Sequence, residues 1–191
     1  MFEHLKKIFF LLLTCVLYWA CSEKPEKSID SLSKLPIKFA KKTVSSEALQ
    51  YKMNIPDSWI LIDSSYAESE SFEAYSDAHD PDGFLSSITV AKYTSSVDDL
   101  EQESKRAQKA AELPDVLKRV TSGRSTIIKG AFFEHLRATE KADYPVEIVS
   151  FLLHANEKNT FYSITVSVPK DEQFEVHIAM LLQCVKEFKI N

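Results

Sequence analysis

The chain has 191 residues, of which 45% are hydrophobic and 27% are charged, and its formal net charge is −5. This composition predicts a globular protein that is large enough to bury a hydrophobic core. It excludes a nucleic-acid partner, because an acidic chain lacks the basic surface that such binding requires. The low glycine count, three in the whole chain, also argues against a glycine-rich phosphate-binding loop.

Residues 1–21 predict a lipoprotein signal peptide. Lys6 and Lys7 precede an uncharged apolar run at residues 8–20, which is too short to cross a bilayer as a helix but typical of a signal-peptide core. The run ends at Ala20-Cys21, a junction that is similar to the lipobox of bacterial lipoproteins. This resemblance implies that Cys21 carries the lipid and is the first residue of the mature chain. The lipid would then bind the protein to the membrane.

Several alternatives to lipidation of Cys21 stay open. Tyr18 and Trp19 are bulkier than the residues usual in a lipobox, so an ordinary signal peptide and an uncleaved anchor are both alternatives. Cys15 is a second candidate lipid site, although its use leaves a very short apolar core. A serine directly after the lipid cysteine, as here after Cys21, is similar to the pattern of lipoproteins sorted to the outer membrane. It therefore predicts a lipid-anchored protein of the bacterial cell envelope, at the outer membrane and facing the periplasm or the cell surface.

Residues 22–46 are polar and rich in lysine, so they predict a flexible tether before a folded domain at residues 47–191. Apolar and polar residues alternate at 51–55, which indicates a first strand. Pro56-Asp57 then predicts a turn that closes a first hairpin, with a second strand at 59–62.

Further strands are predicted at residues 72–75, 85–93, 116–120, 125–129, 131–139, 146–154 and 160–168. The last two form the clearest predicted hairpin. A helix rich in Ala, Glu, Gln, Lys and Arg is expected at 97–113 and ends at Pro114. A second helix follows Pro169, where Phe174, Ile178, Leu181, Val185 and Phe188 repeat at helical spacing. The fold class is therefore α+β, with an antiparallel sheet flanked by helices and a C-terminal amphipathic helix packed on the sheet.

Four segments resemble the PsbP-like, or DcrB-like, domain family, and the resemblance covers about residues 50–191. They are Tyr51-Lys52-Met53-Asn54-Ile55-Pro56-Asp57-Ser58-Trp59, Ile128-Lys129-Gly130-Ala131, Phe161-Tyr162-Ser163-Ile164-Thr165-Val166 and Val185-Lys186-Glu187-Phe188-Lys189-Ile190. The resemblance implies an α/β/α sandwich built on an antiparallel sheet. The family includes photosystem II extrinsic subunits, a eukaryotic Ran-binding import factor and bacterial lipoproteins. It therefore implies a non-enzymatic binding or assembly protein, with no catalytic residues and no cofactor to assign.

The sequence contains no strong catalytic motif. A Gly-x-Ser-x-Gly nucleophile elbow is missing, and a hydrolase would need a Ser or Cys within hydrogen-bond reach of a His in a cleft. Cys184 lies beside the apolar stripe of the C-terminal helix, so a buried thiol is expected there and no internal disulfide. His135 and His154 are on separate predicted strands and lack metal-ligand spacing.

Two sets of residues are weaker site candidates. Asp80 and Asp82 lie in a turn that resembles a calcium loop but lacks the closing glutamate of an EF-hand, so a solvated turn is favoured over a metal site. The candidate ligand or partner residues are aromatic: Trp59, Tyr66, Tyr75 and Tyr93. They would mark a binding surface if they lined one exposed face, and the alternative for them is packing in the core.

These observations predict a lipid-anchored envelope protein that acts as a non-catalytic binding or assembly factor. The expected partners are the membrane, through Cys21, and an unidentified envelope protein. The alternative is a small-molecule or metal-binding lipoprotein of the periplasm or cell surface, which a concave aromatic pocket or an ion at Asp80 and Asp82 would favour.

Overall fold

A computed structural model describes residues 27–66, 69–75, 85–110 and 113–191. In these ranges the helices are α1 (Ile29–Leu32), α2 (Leu100–Ala110) and α3 (Phe174–Lys186). The strands are β1 (Lys41–Ser46), β2 (Tyr51–Pro56), β3 (Ile60–Tyr66), β4 (Ser69–Tyr75), β5 (Ser87–Thr94), β6 (Leu117–Arg124), β7 (Phe132–Ala138), β8 (Val146–His154), β9 (Thr160–Pro169) and β10 (Lys189–Ile190). No helix in the described ranges combines the length and the hydropathy needed to span a membrane.

The strands of the described residues form two antiparallel sheets. The larger has seven strands in the order β3-β4-β5-β9-β8-β7-β6, and the smaller has the order β1-β2-β10. The predicted hairpin is confirmed, because β8 and β9 pair from Val146 opposite Pro169 to His154 opposite Phe161. Strands that follow one another in the chain can pair in this way through short turns.

The seven-stranded sheet has one deeply buried face, which we call the inner face. It carries Val149 and Phe151 of β8 and the paired residues Val166 and Ile164 of β9, all fully buried. The opposite, outer face carries smaller and more polar residues such as Ser150 and is only half-buried. The period-two alternation in the sequence therefore sets which face meets the core.

Helix α3 lies between the two sheets and completes the core. Its residues Ile178 and Leu181 are fully buried, and the helix contacts both β9 of the large sheet and β2 of the small one. Tyr51 of β2 stacks on Phe188, with 5.3 Å between the ring centroids. The prediction of an α+β fold with a C-terminal amphipathic helix packed on the sheet is confirmed.

The tether prediction has to be corrected for residues 27–46, which belong to the folded domain. Ile29 and Leu32 of α1 are buried against the core, and β1 pairs with β2 along its whole length. The apolar residues of this lysine-rich segment follow no sustained helical or strand period, so they give little sequence signal, and Ile29 and Leu32 become core residues through contacts with α3. The predicted signal peptide with Cys21, and residues 22–26 of the tether, lie outside the described residues.

Two other local predictions are also corrected. The turn after Pro56 does not close a hairpin, because β2 and β3 lie in different sheets. Residues 125–129 are a turn instead of a strand, and the Ser125 hydroxyl oxygen accepts hydrogen bonds from the N–H groups of Ile127 (3.0 Å) and Ile128 (3.1 Å). Gly130 ends this turn with φ of 81°, a conformation that suits glycine.

Candidate functional site

The outer face of the large sheet forms a cleft with helix α2, which we call the outer cleft. Its volume is about 90 Å³. The helix contributes Ser104 and Gln108, and the sheet contributes Tyr93, Phe132, Ser150, Leu152 and Ser163. Ser150 of β8 and Ser163 of β9 are small, so the larger side chains of Tyr93, Phe132 and Leu152 form walls around them.

Helix α2 is held to the sheet by a buried carboxylate. Glu103 is fully buried and accepts hydrogen bonds from the Tyr93 hydroxyl (3.0 Å), the Ser95 hydroxyl (2.6 Å) and two guanidinium nitrogens of Arg106 (both 2.7 Å). The hydrogen bonds from Arg106 hold the pKa of Glu103 below its usual range, although burial acts in the opposite direction. Burial and the neighbouring carboxylate raise the pKa of Tyr93, so this wall residue stays a neutral hydrogen-bond donor.

Two arginines of the edge strand β6 lie beside the cleft. Arg124 lies over the ring of Phe132, with 4.7 Å from the guanidinium carbon to the ring centroid, and contacts Glu101 at 3.3 Å. Arg119 donates a hydrogen bond to Glu134, which also lines the cleft. The cleft therefore combines aromatic and aliphatic walls with a charged rim.

The loop before α2 is attached to the β8–β9 turn through Asp98. The Asp98 carboxylate accepts hydrogen bonds from the Asn159 N–H (2.6 Å) and from Nε2 of His154 (2.9 Å). The other ring nitrogen of His154, Nδ1, donates to the carbonyl oxygen of Ala155. Burial lowers the pKa of His154, but these hydrogen bonds outweigh burial and leave the pKa above its usual value.

A second charged cluster lies on the inner face. Glu147 is 1% exposed, and its carboxylate contacts His135 Nε2 (2.5 Å), Arg137 Nε (2.8 Å) and Lys170 Nζ (3.4 Å). Burial favours the neutral acid, but the hydrogen bonds from His135 and Arg137 lower the pKa of Glu147 to about 2. This cluster and the outer cleft are on opposite faces of the sheet.

The aromatic candidates of the sequence do not share one surface. Trp59 is 4% exposed and packs in the core, whereas Tyr93 lines the outer cleft. Tyr66 is the last residue of β3, and Tyr75 is the last residue of β4. Asp80 and Asp82 lie outside the described residues.

The histidine and cysteine candidates stay apart in the fold. His135 is on the inner face and His154 on the outer face, and no group of three metal-ligating side chains forms among the described residues. Burial raises the pKa of Cys184 to about 12, so this thiol is a core residue as predicted.

The structure does bring one serine close to a histidine. The Ser86 hydroxyl lies 3.5 Å from Nδ1 of His177, at the outer limit of a hydrogen bond, and Ser86 is buried. No carboxylate of the described residues contacts the His177 ring. The pair therefore lacks the oriented base and the accessible nucleophile that covalent catalysis uses.

Sequence reasoning missed the floor and far wall of the cleft. Phe132, Ser150 and Ser163 come from three different strands, and only the strand register places them together. Their signal in the sequence is weak, because a small hydroxyl residue on the outer face of a strand is ordinary.

Comparison with family models found no matching family, and comparison with curated proteins found no matching relative. Solved structures do share the fold. The Ran-binding protein Mog1p of Saccharomyces cerevisiae superposes with a TM-score of 0.54 at 14% identity, over 80% of this chain and 96% of Mog1p. The cyanobacterial PsbP protein CyanoP of Synechocystis gives 0.51 at 11% identity, over 82% of this chain and 95% of CyanoP.

A third similar structure comes from a bacterial envelope system. LpqN of Mycobacterium tuberculosis, described as involved in cell envelope biogenesis, gives a TM-score of 0.50 at 13% identity, over 88% of this chain and 99% of LpqN. Identities this low establish the fold alone. The sequence resemblance to PsbP-like domains is therefore confirmed at the level of the fold.

Proposed function

From the PsbP-like fold of this chain, we propose that the protein is a lipid-anchored factor of the bacterial cell envelope that binds a protein partner and catalyses no reaction. The anchor in this proposal is the lipid on Cys21, at the outer membrane. The binding surface is the outer cleft. Mog1p, whose name describes it as Ran-binding, is one precedent for a binding role on this fold, and LpqN is one for a place in the envelope.

The observation that carries the proposal is the size and lining of the outer cleft. Sites for small molecules are usually several hundred cubic ångströms in volume, and this cleft has about 90 Å³. That volume suits one or two side chains of a protein partner. Phe132 and Leu152 offer apolar walls, and buried anchors of this kind contribute most of the binding energy at protein interfaces.

The acid–base groups of the described residues support a binding role over a catalytic one. Glu103 and Glu147 are both engaged in several hydrogen bonds from cations or hydroxyls. Their pKa values are lowered, so both carboxylates stay ionised at neutral pH, and a general acid that works near neutrality needs the opposite shift.

The test is capture of the partner from the native envelope with a short crosslinker. Ser163→Trp places an indole in the cleft, and we expect it to reduce capture of the partner by about tenfold or more, as expected for a filled central pocket. Cys21→Ala should release the protein from lipid-dependent retention in the outer-membrane fraction.

Ser45→Trp is the matched control, because Ser45 is exposed on β1 of the smaller sheet and does not line the cleft. It should capture as much partner as the unchanged protein, and both tryptophan variants should keep the unfolding temperature within a few degrees. Equal capture by Ser163→Trp and Ser45→Trp would show that the cleft is not the binding surface.

A further inference from the structure

The loop before α2 is attached to the β8–β9 turn by polar contacts, which add to the hydrogen bonds of Glu103 with Tyr93 and Ser95. The N–H of Ser95 donates to the Asn159 carbonyl at 2.7 Å, and Asp98 receives the Asn159 N–H. Asp99 then caps the helix, because its carboxylate accepts the N–H of Gln102 at 2.8 Å. The described part of α2 buries only Glu103 and Ser104, so few apolar contacts hold the helix over the cleft.

Of the residues that attach this loop to the β8–β9 turn, His154 is the one whose side chain gains or loses a proton near neutral pH. Both of its ring nitrogens face acceptors, the Asp98 carboxylate at 2.9 Å and the carbonyl oxygen of Ala155. A doubly protonated imidazolium satisfies both acceptors. A neutral ring has a single N–H, so one of the two contacts then sets a nitrogen lone pair against an oxygen lone pair.

The other groups described around the ring do not supply a second acid. From β9, the ring of Phe161 meets the imidazole edge-on with centroids 5.0 Å apart, and Tyr93 of β5 packs behind Phe161 at 6.0 Å. In the turn, Lys158 acts on Asp98, and the Glu157 carboxylate receives Lys92 at 3.0 Å. Among the described residues, Asp98 is therefore the acid that faces His154.

We propose that His154 and Asp98 form a proton-dependent latch, which holds the N-terminal end of α2 down over the outer cleft and loosens when His154 loses its proton. The proposal rests on the proposed function, since it gives a regulation to the same cleft. Acidic conditions keep the helix closed, and a rise through neutral pH opens the cleft to the partner.

The direction of the pH response follows from the protonation of His154 and Asp98. The pKa of His154 is raised in the folded protein, so its contribution is complete below its usual pKa near 6.5 and disappears as the pH rises through the higher folded value. The pKa of Asp98 is lowered, chiefly by the Asn159 N–H and then by His154, so the carboxylate keeps its charge throughout this window. Within this window, the latch therefore weakens only as the pH rises.

The test is hydrogen exchange of the α2 amides in the isolated protein at about pH 5.5 and about pH 8, expressed as protection relative to the intrinsic rate at each pH. In the unchanged protein, protection should fall by about threefold between the two conditions, as expected for the loss of one partly exposed hydrogen bond. In His154→Gln, protection should be the same at both pH values.

His177→Gln on α3 is the matched control and should retain the threefold change, because His177 lies outside the attachment of α2. Asp98→Asn provides a second variant if His154→Gln is unfolded, and it should also remove the pH dependence. Protection that does not change with pH in the unchanged protein, or an unchanged pH response in both latch variants, would overturn the latch. Because exchange needs no partner, this result is independent of the capture experiment on the cleft.

Discussion

At the scale of single residues, the fold uses buried carboxylates as fixed anions. Glu103 joins α2 to β5 on the outer face, and Glu147 joins β7 and β8 on the inner face. A charge that is removed from water is tolerated only where hydrogen-bond donors replace the lost hydration, and each of these carboxylates has at least three polar partners. Such residues orient strands and helices more than they add net stability.

We predict that Glu147→Gln lowers the free energy of unfolding at neutral pH by about 3 kcal/mol, because it leaves His135 and Arg137 near a neutral amide in a buried site. The pKa of Glu147 is lowered from a usual value near 4.5 to about 2. Its stabilisation is therefore complete above about pH 4.5 and is lost as the pH falls towards 2.

Urea unfolding of both proteins over this pH range measures the effect, and the difference between them should shrink as the medium becomes acidic. Glu140→Gln is the control, since Glu140 is exposed. It should change the free energy of unfolding by less than about 0.5 kcal/mol. A Glu147→Gln protein as stable as the control at neutral pH would show that the inner cluster does not stabilise the fold.

At the scale of elements, α1 and β1 are defined by their partners. Helix α1 is only one turn long, and it is fixed because Ile29 and Leu32 reach the core while Lys186 donates to the carbonyl of Ser33. A helix this short has no stability of its own in water. Residues 27–40 are therefore ordered by packing.

We predict that Leu32→Ala lowers the free energy of unfolding by about 2–4 kcal/mol, because Leu32 is 2% exposed and its loss leaves a cavity beside α3. Thermal or urea unfolding measures this change. Lys38→Ala is the control within the same segment, and its exposed side chain should contribute less than about 0.5 kcal/mol. Equal free energies of unfolding for the two variants would show that residues 27–40 are a flexible tether and not part of the folded domain.

At the scale of the whole molecule, the two sheets enclose one core around α3. Cys184 is a fully buried member of this core, and it is the free cysteine of the described residues. With the thiol this deep in the fold, a reagent reaches it only when the two sheets separate. Reactivity of this one residue therefore reports opening of the entire core.

We predict that Cys184 in the native protein reacts with iodoacetamide at least about a thousandfold more slowly than in the unfolded protein, because burial raises its pKa to about 12 and blocks access. Mass spectrometry of the peptide that contains Cys184 measures the rate separately from the other cysteines. The rate should rise with urea in parallel with global unfolding. Fast labelling without denaturant would contradict a single closed core.

The sequence by itself determined the α+β class, the β8–β9 hairpin and the C-terminal helix, because each of these rests on a local period of apolar residues. It also placed Cys184 in the core and Tyr93 among the candidate binding residues. The tertiary structure decided the membership of α1 and β1 in the domain, the turn at residues 125–129 and the assembly of the outer cleft. The cleft and the placement of α1 and β1 depend on residues that are far apart in the chain, such as Tyr93, Phe132 and Ser163 around the cleft, and a local pattern holds no information about such partners. The turn is held by local hydrogen bonds to the Ser125 hydroxyl, which a pattern of apolar residues does not record.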